Sequence, residues 1–344
     1  MATKNWNGGY IRPVPVAPAG PYQDGAAPGV WTLDQVAYWQ KQGLWPIAGN
    51  VAPAYGLFAG GSTSNINYIN ITNTGNATSF GNLLSSLSFL CGFGSSTRAV
   101  FAGGGSTNVI QYVTFATTGN TTDFGDETVA RQSSAGCNSS TRGLIGGGVQ
   151  TASPYARYNI IDYVTIATTG NATDFGDLTN VSEGPMACSS PTRGVFAGGY
   201  NGSSRLTNID YVTIASTGNA TNFGSLTAPI GTGAGCGSST RGIFGGGYDG
   251  NTSEGTNTIQ YITIASTGNA TDFGDLSDRL NFLAACSSEI RAVFGGGFSY
   301  YSYTSVNVLQ YITISSTGST TDFGDLTSVR SAFAACSSTN GGVQ

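Results

Sequence analysis

The stretch Tyr261–Gly297, YITIASTGNATDFGDLSDRLNFLAACSSEIRAVFGGG, decides the fold, because versions of it occur six times along the chain. The anchors are Tyr68, Tyr112, Tyr163, Tyr211, Tyr261 and Tyr311, on average about 49 residues apart. That period belongs to propellers and repeat arrays. A Phe follows each Tyr after twelve residues (Phe80, Phe124, Phe175, Phe223, Phe273, Phe323). Thirteen further on comes Phe93, Cys137, Cys188, Cys236, Cys286 or Cys336, and five after that Arg98, Arg142, Arg193, Arg241 or Arg291. An apolar triplet and a run of two or three glycines complete the unit.

Alternation and turn residues divide each unit into four strands. The pattern is NFLAACSS (281–288), RAVFGGG (291–297), NVLQYITIS (307–315) and the short TDFGDL (321–326). Ala, Gly, Ser and Cys fill the first strand, which suits the crowded inner position of a propeller blade. The STGNAT link places Gly and Asn where a tight turn tolerates positive φ. The repeats start at a second strand (55–61) and end on a first strand (331–338). The C-terminal strand is therefore expected to complete the blade begun by residues 55–83. The fold predicted is all-β: a six-bladed propeller over 51–344, preceded by an arm over 1–50.

The order of di-glycine, variable loop, Tyr and a later aromatic resembles the kelch repeat, across about 85% of the chain. The matching glycines are Gly60-Gly61, Gly103-Gly104, Gly146-Gly147, Gly198-Gly199, Gly245-Gly246 and Gly295-Gly296. Phe replaces that family's Trp in every unit, and the Asp that usually follows the Tyr is absent. The resemblance implies a propeller fold and transfers no catalytic residue.

Composition removes several functions. Histidine is absent, which excludes Ser-His-Asp and Cys-His catalysis, His-ligated metals and His-based pH switching. Charged residues make up only 9% and the net charge is −5, unsuited to nucleic acid, whose phosphates require a basic surface. Apolar runs are far shorter than the ~20 residues of a spanning helix, so membrane insertion is not expected. MATKNWNGGY lacks the apolar segment of a signal peptide, so classical secretion is not expected. The Asn-X-Ser/Thr triplets at Asn76, Asn171, Asn219 and Asn269 then read as turn residues rather than glycosylation sites.

Cys91 stands two residues before the slot that the other five cysteines share. Equivalent positions on separate blades are poorly placed to form disulfides, so reduced core residues are expected. The DFGD aspartates (Asp123 and Asp126, Asp174 and Asp177, Asp272 and Asp275, Asp322 and Asp325) present paired carboxylates. Asn222 and Ser225, or Ser79 and Asn82, replace them in two units, which favours strand-end roles over calcium sites. The repeated Arg reads as a structural partner for a neighbouring carboxylate. No cofactor is implied, and nothing supports an enzyme.

The informative variation is in length. Arg-to-Tyr spacing runs 14, 21, 18, 20 and 20 while the other spacings stay fixed. The long loops, 148–160, 199–209, 247–259 and 297–309, combine Tyr with Ser, Gly and Asn, a paratope-like mixture of rigid rings and small polar groups. Tyr155, Arg157, Tyr158, Tyr200, Arg205, Tyr248, Phe298, Tyr300, Tyr301 and Tyr303 are the expected contacts. They lie on one disc face with the links between blades, opposite the constant STGNAT and SST turns.

Between Met1 and Ala27 the arm includes IRPVPVAPAGP (11–21), whose prolines favour extended backbone and oppose regular ladders. Thr32 and Gln35 then form a capping box for a short helix over about 33–42, with Gly43 as its C-terminal cap and Pro46 as its stop. Trp31, Leu33, Val36, Trp39 and Trp45 give this segment an apolar surface fit for anchoring. GVWTLDQVAYWQKQGLWP resembles the N-terminal segments of virion structural proteins from tailed phages, particularly marine ones. That resemblance implies a virion surface protein, a tail fibre or appendage or a head-decorating protein, assembled in the host cytoplasm. Its arm would hold other virion proteins and its loops a host surface glycan or protein. A purely structural virion module is the alternative, and a glycan-cleaving propeller a more distant one. A homo-oligomer is compatible, although no heptad pattern demands it.

Overall fold

The computed structural model describes residues 4–6, 9–11, 34, 35, 38 and 54–339. The chain divides into two compact units, Met1–Pro53 and Ala54–Gln344. In the first, Lys4–Trp6 pairs antiparallel with Gly9–Ile11. This ladder precedes the prolines, and the proline-rich stretch expected to be extended lies, beyond Ile11, outside the described residues. Asp34, Gln35 and Tyr38 are helical. The remainder of the predicted helix lies outside the described residues, as do Trp31, Leu33, Val36, Trp39 and Trp45.

The second unit is all-β, with antiparallel sheets in a propeller arrangement. Within one sheet the order is Cys91–Gly94, Arg98–Ala102, Val109–Thr114 and Thr122–Asp126. The units around Tyr163, Tyr211 and Tyr311 repeat this order. In the unit of Tyr68, Phe333–Ser337 supplies the innermost strand and pairs with Tyr55–Gly60 from Gly56↔Ser337 to Gly60↔Phe333. Chain ends about 280 residues apart thus share one sheet, as the phase of the repeats predicts.

Five blades stand as discrete four-stranded sheets, where the sequence reading expects six equal ones. In the unit of Tyr261 the same four-strand order, Ala234–Gly237, Arg241–Gly245, Glu254–Thr263 and Thr271–Asn281, lies inside an eight-stranded sheet. The difference has a local cause. The last two strands overrun the blade: the extension of the third pairs with Tyr248–Asp249 of its own loop, and that of the fourth with Phe298–Ser299 of the next unit's loop.

At the axis the first strands approach so closely that some positions leave no room for a Cβ. A Cβ on Gly92 would lie 2.6 Å from the Ala335 carbonyl oxygen, and one on Gly136 2.7 Å from that of Gly92. Just before each first strand, a residue in the left-handed region donates its N–H to the carbonyl of its counterpart one blade back. Phe89 donates to Ala332 (2.7 Å), and Ser133 to Phe89, Gly184 to Ser133, Thr232 to Gly184, Phe282 to Thr232 and Ala332 to Phe282 (2.8 Å each). The φ values of these six lie between 54° and 65°. The hydrogen bonds close on themselves.

The repeated side chains serve the seams between blades. Each Tyr meets the edge of its Phe, as in Tyr261–Phe273 at 5.8 Å, and carries the repeated guanidinium on its face, as in Arg241 over Tyr261 at 4.5 Å. The same Arg donates to a carbonyl of another blade: Arg142 to Ile214 at 2.8 Å, Arg291 to Ile71 at 3.0 Å. A carboxylate partner was expected; the geometry instead gives a ring and a carbonyl, because the third strand places Tyr directly beside the Arg. Tyr55 takes the Arg position in the first unit and meets Tyr68 edge-on at 6.1 Å.

The cysteines are free and buried. Burial pushes the thiols of Cys91 and Cys236 up to about 12. Those in the common slot face a residue without room for more. A Cβ on Gly194 would lie 3.0 Å from Cys137 Sγ, and Phe93, the one large side chain in the slot, packs its ring against Gly143.

The residue before each Tyr is a buried acceptor that sequence reading passed over: Asn67, Gln111, Asp162, Asp210, Gln260 or Gln310. Each receives a backbone N–H from the preceding blade, for example Thr179 to Asp210 at 2.9 Å and Thr327 to Asn67 at 3.0 Å. Asp162 also binds Arg131, which pairs with Glu127 as well (2.8 and 2.6 Å). Burial raises the Glu127 carboxyl to about 7 against the opposing pull of Arg131.

The STGN turns lock the outer rim. Gly170 donates to the Phe124 carbonyl at 2.7 Å, and the Asn171 side chain accepts from Asp126 N at 3.0 Å. The role of this Asn is therefore acceptance across the seam rather than a positive φ. Asn76, Asn219 and Asn269 act in the same way.

A matched pair of substitutions tests the seam. A Cβ on Gly81 would overlap the Gly119 carbonyl oxygen, whereas one on Gly119 meets nothing within 4 Å. Gly81→Ala is expected to destabilise the protein by roughly 1–3 kcal/mol, the usual cost of overpacking. Gly119→Ala should stay within about 0.5 kcal/mol of the parent, as unstrained surface changes do. Urea denaturation of the two variants reads the difference.

Candidate functional site

The four long loops are short hairpins built onto the blades. Val149–Gln150 pairs with Ala156–Arg157, Tyr248–Asp249 with Glu254 and Gly255, and Phe298–Ser299 with Thr304–Ser305. A single bridge joins Tyr200 to Arg205. The incoming arm of each hairpin also pairs with the link that enters its blade: Gln132↔Val149, Glu183↔Tyr200, Gly231↔Tyr248 and Asn281↔Phe298. Val149, Tyr200, Tyr248 and Phe298 therefore occupy equivalent positions, held on both sides by backbone hydrogen bonds.

This register brings the candidate residues of neighbouring loops together. The Arg157 guanidinium lies over Tyr155 and over Tyr200, 4.9 Å from each centroid. Arg205 lies over Tyr200 at 5.1 Å and over Tyr248 at 4.9 Å. Tyr248 then meets the edge of Tyr300 at 6.4 Å, and Tyr300 that of Phe298 at 5.8 Å. Gly255 makes room for this last step, since a Cβ there would run into the Tyr300 ring. Rings and guanidinium groups alternate from Tyr155 to Tyr248, and ring-on-ring contacts carry the ladder on to Phe298 on the fourth consecutive blade. Such stacks contribute about 0.5–2 kcal/mol per contact, so the loops are braced before any ligand arrives.

Charge along the ladder is uneven. Arg157 pairs with Glu183 through Nε at 2.8 Å. Among the described residues Arg205 makes no ion pair, and burial lowers its pKa against the raising effects of Glu183 and Tyr248. Burial and the Glu183 carboxylate raise the Tyr155 hydroxyl, and burial together with Tyr248 raises that of Tyr300.

Three candidates stand outside the ladder. Tyr158 turns inward and donates to Gln150 Oε1 at 2.6 Å. Tyr301 and Tyr303 project from the tip of their hairpin, 89% and 74% exposed, with Tyr303 in the left-handed region at φ 55°. Tyr155, at the other end, is 53% exposed. Two guanidinium groups lie over the Tyr200 ring, and the most exposed rings of the set are Tyr155, Tyr301 and Tyr303.

Sequence reading missed Glu183, and it missed Phe89 and Phe282, whose rings meet edge-on at 5.5 Å beside the axis. With Ser133, Gly184, Thr232 and Ala332 these rings line a shallow depression at the mouth of the axial channel. The available signal was positional. Glu183 lies eight residues, and each axial residue nine, after the repeated Phe.

The DFGD carboxylates do not converge, and among the described residues no three His, Cys, Asp or Glu side chains form a metal-sized group. No protein-family model and no curated protein matches the chain.

The bracing role of Tyr200 can be tested directly. Tyr200→Ala removes both guanidinium contacts on that ring and should cost about 1–2 kcal/mol. Amide exchange should quicken at Tyr158 and Leu206, which donate to Gly148 at 2.9 Å and Gly199 at 2.8 Å. The six axial amides should be unaffected.

Proposed function

We propose that this chain is a six-bladed, kelch-like propeller of a phage virion surface, a tail fibre, appendage or head-decorating protein. Its N-terminal arm fastens it to the particle and its loop face binds a host surface glycan or protein. The blade count treats the Tyr261 strands as a sixth blade joined to its neighbours through the loop hairpins. The kelch likeness rests on the di-glycines and tyrosines, and the virion assignment on the likeness of the arm.

One observation carries the binding role: the ladder from Tyr155 to Phe298, built on the only loops that vary in length. A scaffold with no ligand to hold would have no need of braced aromatic loops on four adjacent blades. Tyr301 and Tyr303 supply the projecting rings that a sugar face or an apolar protein patch can cover.

Phage carrying Tyr301→Ala and Tyr303→Ala should assemble normally and adsorb at least about tenfold more slowly, the loss typical of two interface aromatics. Unchanged adsorption would favour the alternative, a structural module facing other virion proteins. Deleting residues 1–50 should leave a folded propeller that fails to enter particles.

A further inference from the structure

The two ladder arginines occupy equivalent sites but differ in what neutralises them. Arg157 stacks on Tyr200, whose backbone pairs with Glu183, and the Glu183 carboxylate binds Arg157 at 2.8 Å. One blade further on, Arg205 stacks on Tyr248, whose backbone pairs with Gly231. Gly231 thus stands where the preceding blade carries Glu183. A Cβ on Gly231 would lie 2.8 Å from Arg205 Nη1. The position that one blade fills with an internal carboxylate is left without one at the next. Other acids nearby do not replace it: Glu183 is held by Arg157, and Asp249 Oδ1 accepts from Asn251 N at 2.8 Å.

We propose that Arg205, between Tyr200 and Tyr248, binds the carboxylate of an acidic sugar residue in a surface polysaccharide. The inference rests on reading the loop face as the binding face, and it names the ligand class. A guanidinium has five N–H donors in a fixed plane matched to a carboxylate. Stacking between two rings fixes that plane and reduces its hydration, so an incoming carboxylate displaces less water and meets a rigid fork. The same partial desolvation leaves the bare cation costly, and an external anion relieves that cost.

The surroundings favour a sugar over a peptide. An extended peptide needs an open strand edge, and the backbone here is already paired. Tyr200 N donates to Glu183 O and Glu183 N to Tyr200 O, both at 2.9 Å, while Gly250 N donates to Pro229 O at 2.8 Å. What remains is side-chain chemistry. The Tyr200 hydroxyl donates to Gly202 O at 2.9 Å and keeps its lone pairs, and the Tyr248 ring lies 4.9 Å from the guanidinium. A phenol oxygen and two aromatic rings around a carboxylate fork match a sugar acid, whose carboxylate stands beside ring hydroxyls and C–H faces.

Titration calorimetry on the full chain tests this with hexagalacturonate and 3′-sialyllactose, against methyl-esterified hexagalacturonate and lactose as neutral controls. At least one acidic probe should bind saturably, with its neutral control weaker by about tenfold or more, as the loss of a charge-assisted hydrogen bond implies. Arg205→Gln should weaken that binding to a similar extent. Gly231→Glu, which keeps the arginine but gives it an internal partner like Glu183, should do the same. The inference fails if neither acidic probe binds, if Arg205→Gln binds as well as the parent, or if poly-L-glutamate competes equally and shows a peptide site. Its failure is separable from that of the proposed function. Host adsorption that survives Arg205→Gln sinks the carboxylate site alone, and acidic-sugar binding without host adsorption sinks the attachment role alone.

Discussion

Six backbone hydrogen bonds around the axis hold the propeller in one piece. Each joins a residue to its counterpart one blade away, and the last, Ala332 to Phe282, continues into Phe89 to Ala332, so no end of the chain of bonds is free. Five of the six residues are not glycine, although the left-handed conformation costs an ordinary residue about 1–2 kcal/mol. A hydrogen bond contributes about 0.5–1.5 kcal/mol, and an unpaired buried N–H or carbonyl costs about 1–3. The strain is therefore tolerated because any other arrangement would leave unpaired polar groups where the inner strands converge. Closure of residues 333–337 onto 55–60 supplies the remaining constraint. Without that sheet, the ring would be an open arc.

The seams outside the ring use the same economy. Glycines face the side chains of the common slot in register, as Gly143 faces Phe93 and Gly194 faces Cys137. Arg, Tyr and Phe stack within a blade, and the Arg then reaches a carbonyl of another blade. Because backbone groups meet backbone groups, the repeated side chains can be few and the surface residues free to change. This explains how a chain with 52 glycines and only 9% charged residues builds a closed disc.

Much of this could be read from the sequence, and what could not has physical reasons. Fixed Tyr, Phe, Cys and Arg spacings revealed the units, the strand order and the closing strand, because each spacing reflects a packing contact that all units share. The axial ring was hidden: Phe89, Ser133, Gly184, Thr232, Phe282 and Ala332 share a place nine residues after the repeated Phe but no side-chain chemistry. The acceptor before each Tyr was hidden in the same way, since Asn, Gln and Asp can all accept the same N–H. Length variation and tyrosine content pointed to these loops, and the fold sets Arg157 and Arg205 over their rings. Their stacking, and the contrast between Glu183 and Gly231, depend on which link pairs with which hairpin, a register that only the fold supplies. The outcome is a division of labour between a scaffold set by repetition and a face set by its departures from repetition.

Native-state hydrogen exchange tests that division most directly. If closure makes the disc a single cooperative unit, the amides of Phe89, Ser133, Gly184, Thr232, Phe282 and Ala332 will form one class. They will exchange only through global unfolding and share its urea dependence. The hairpin amides of Tyr158, Leu206 and Val306 will exchange faster, through local opening. Two or more axial amides exchanging at the hairpin rates would contradict the account, because the blades would then open independently and the ring would not be what holds them.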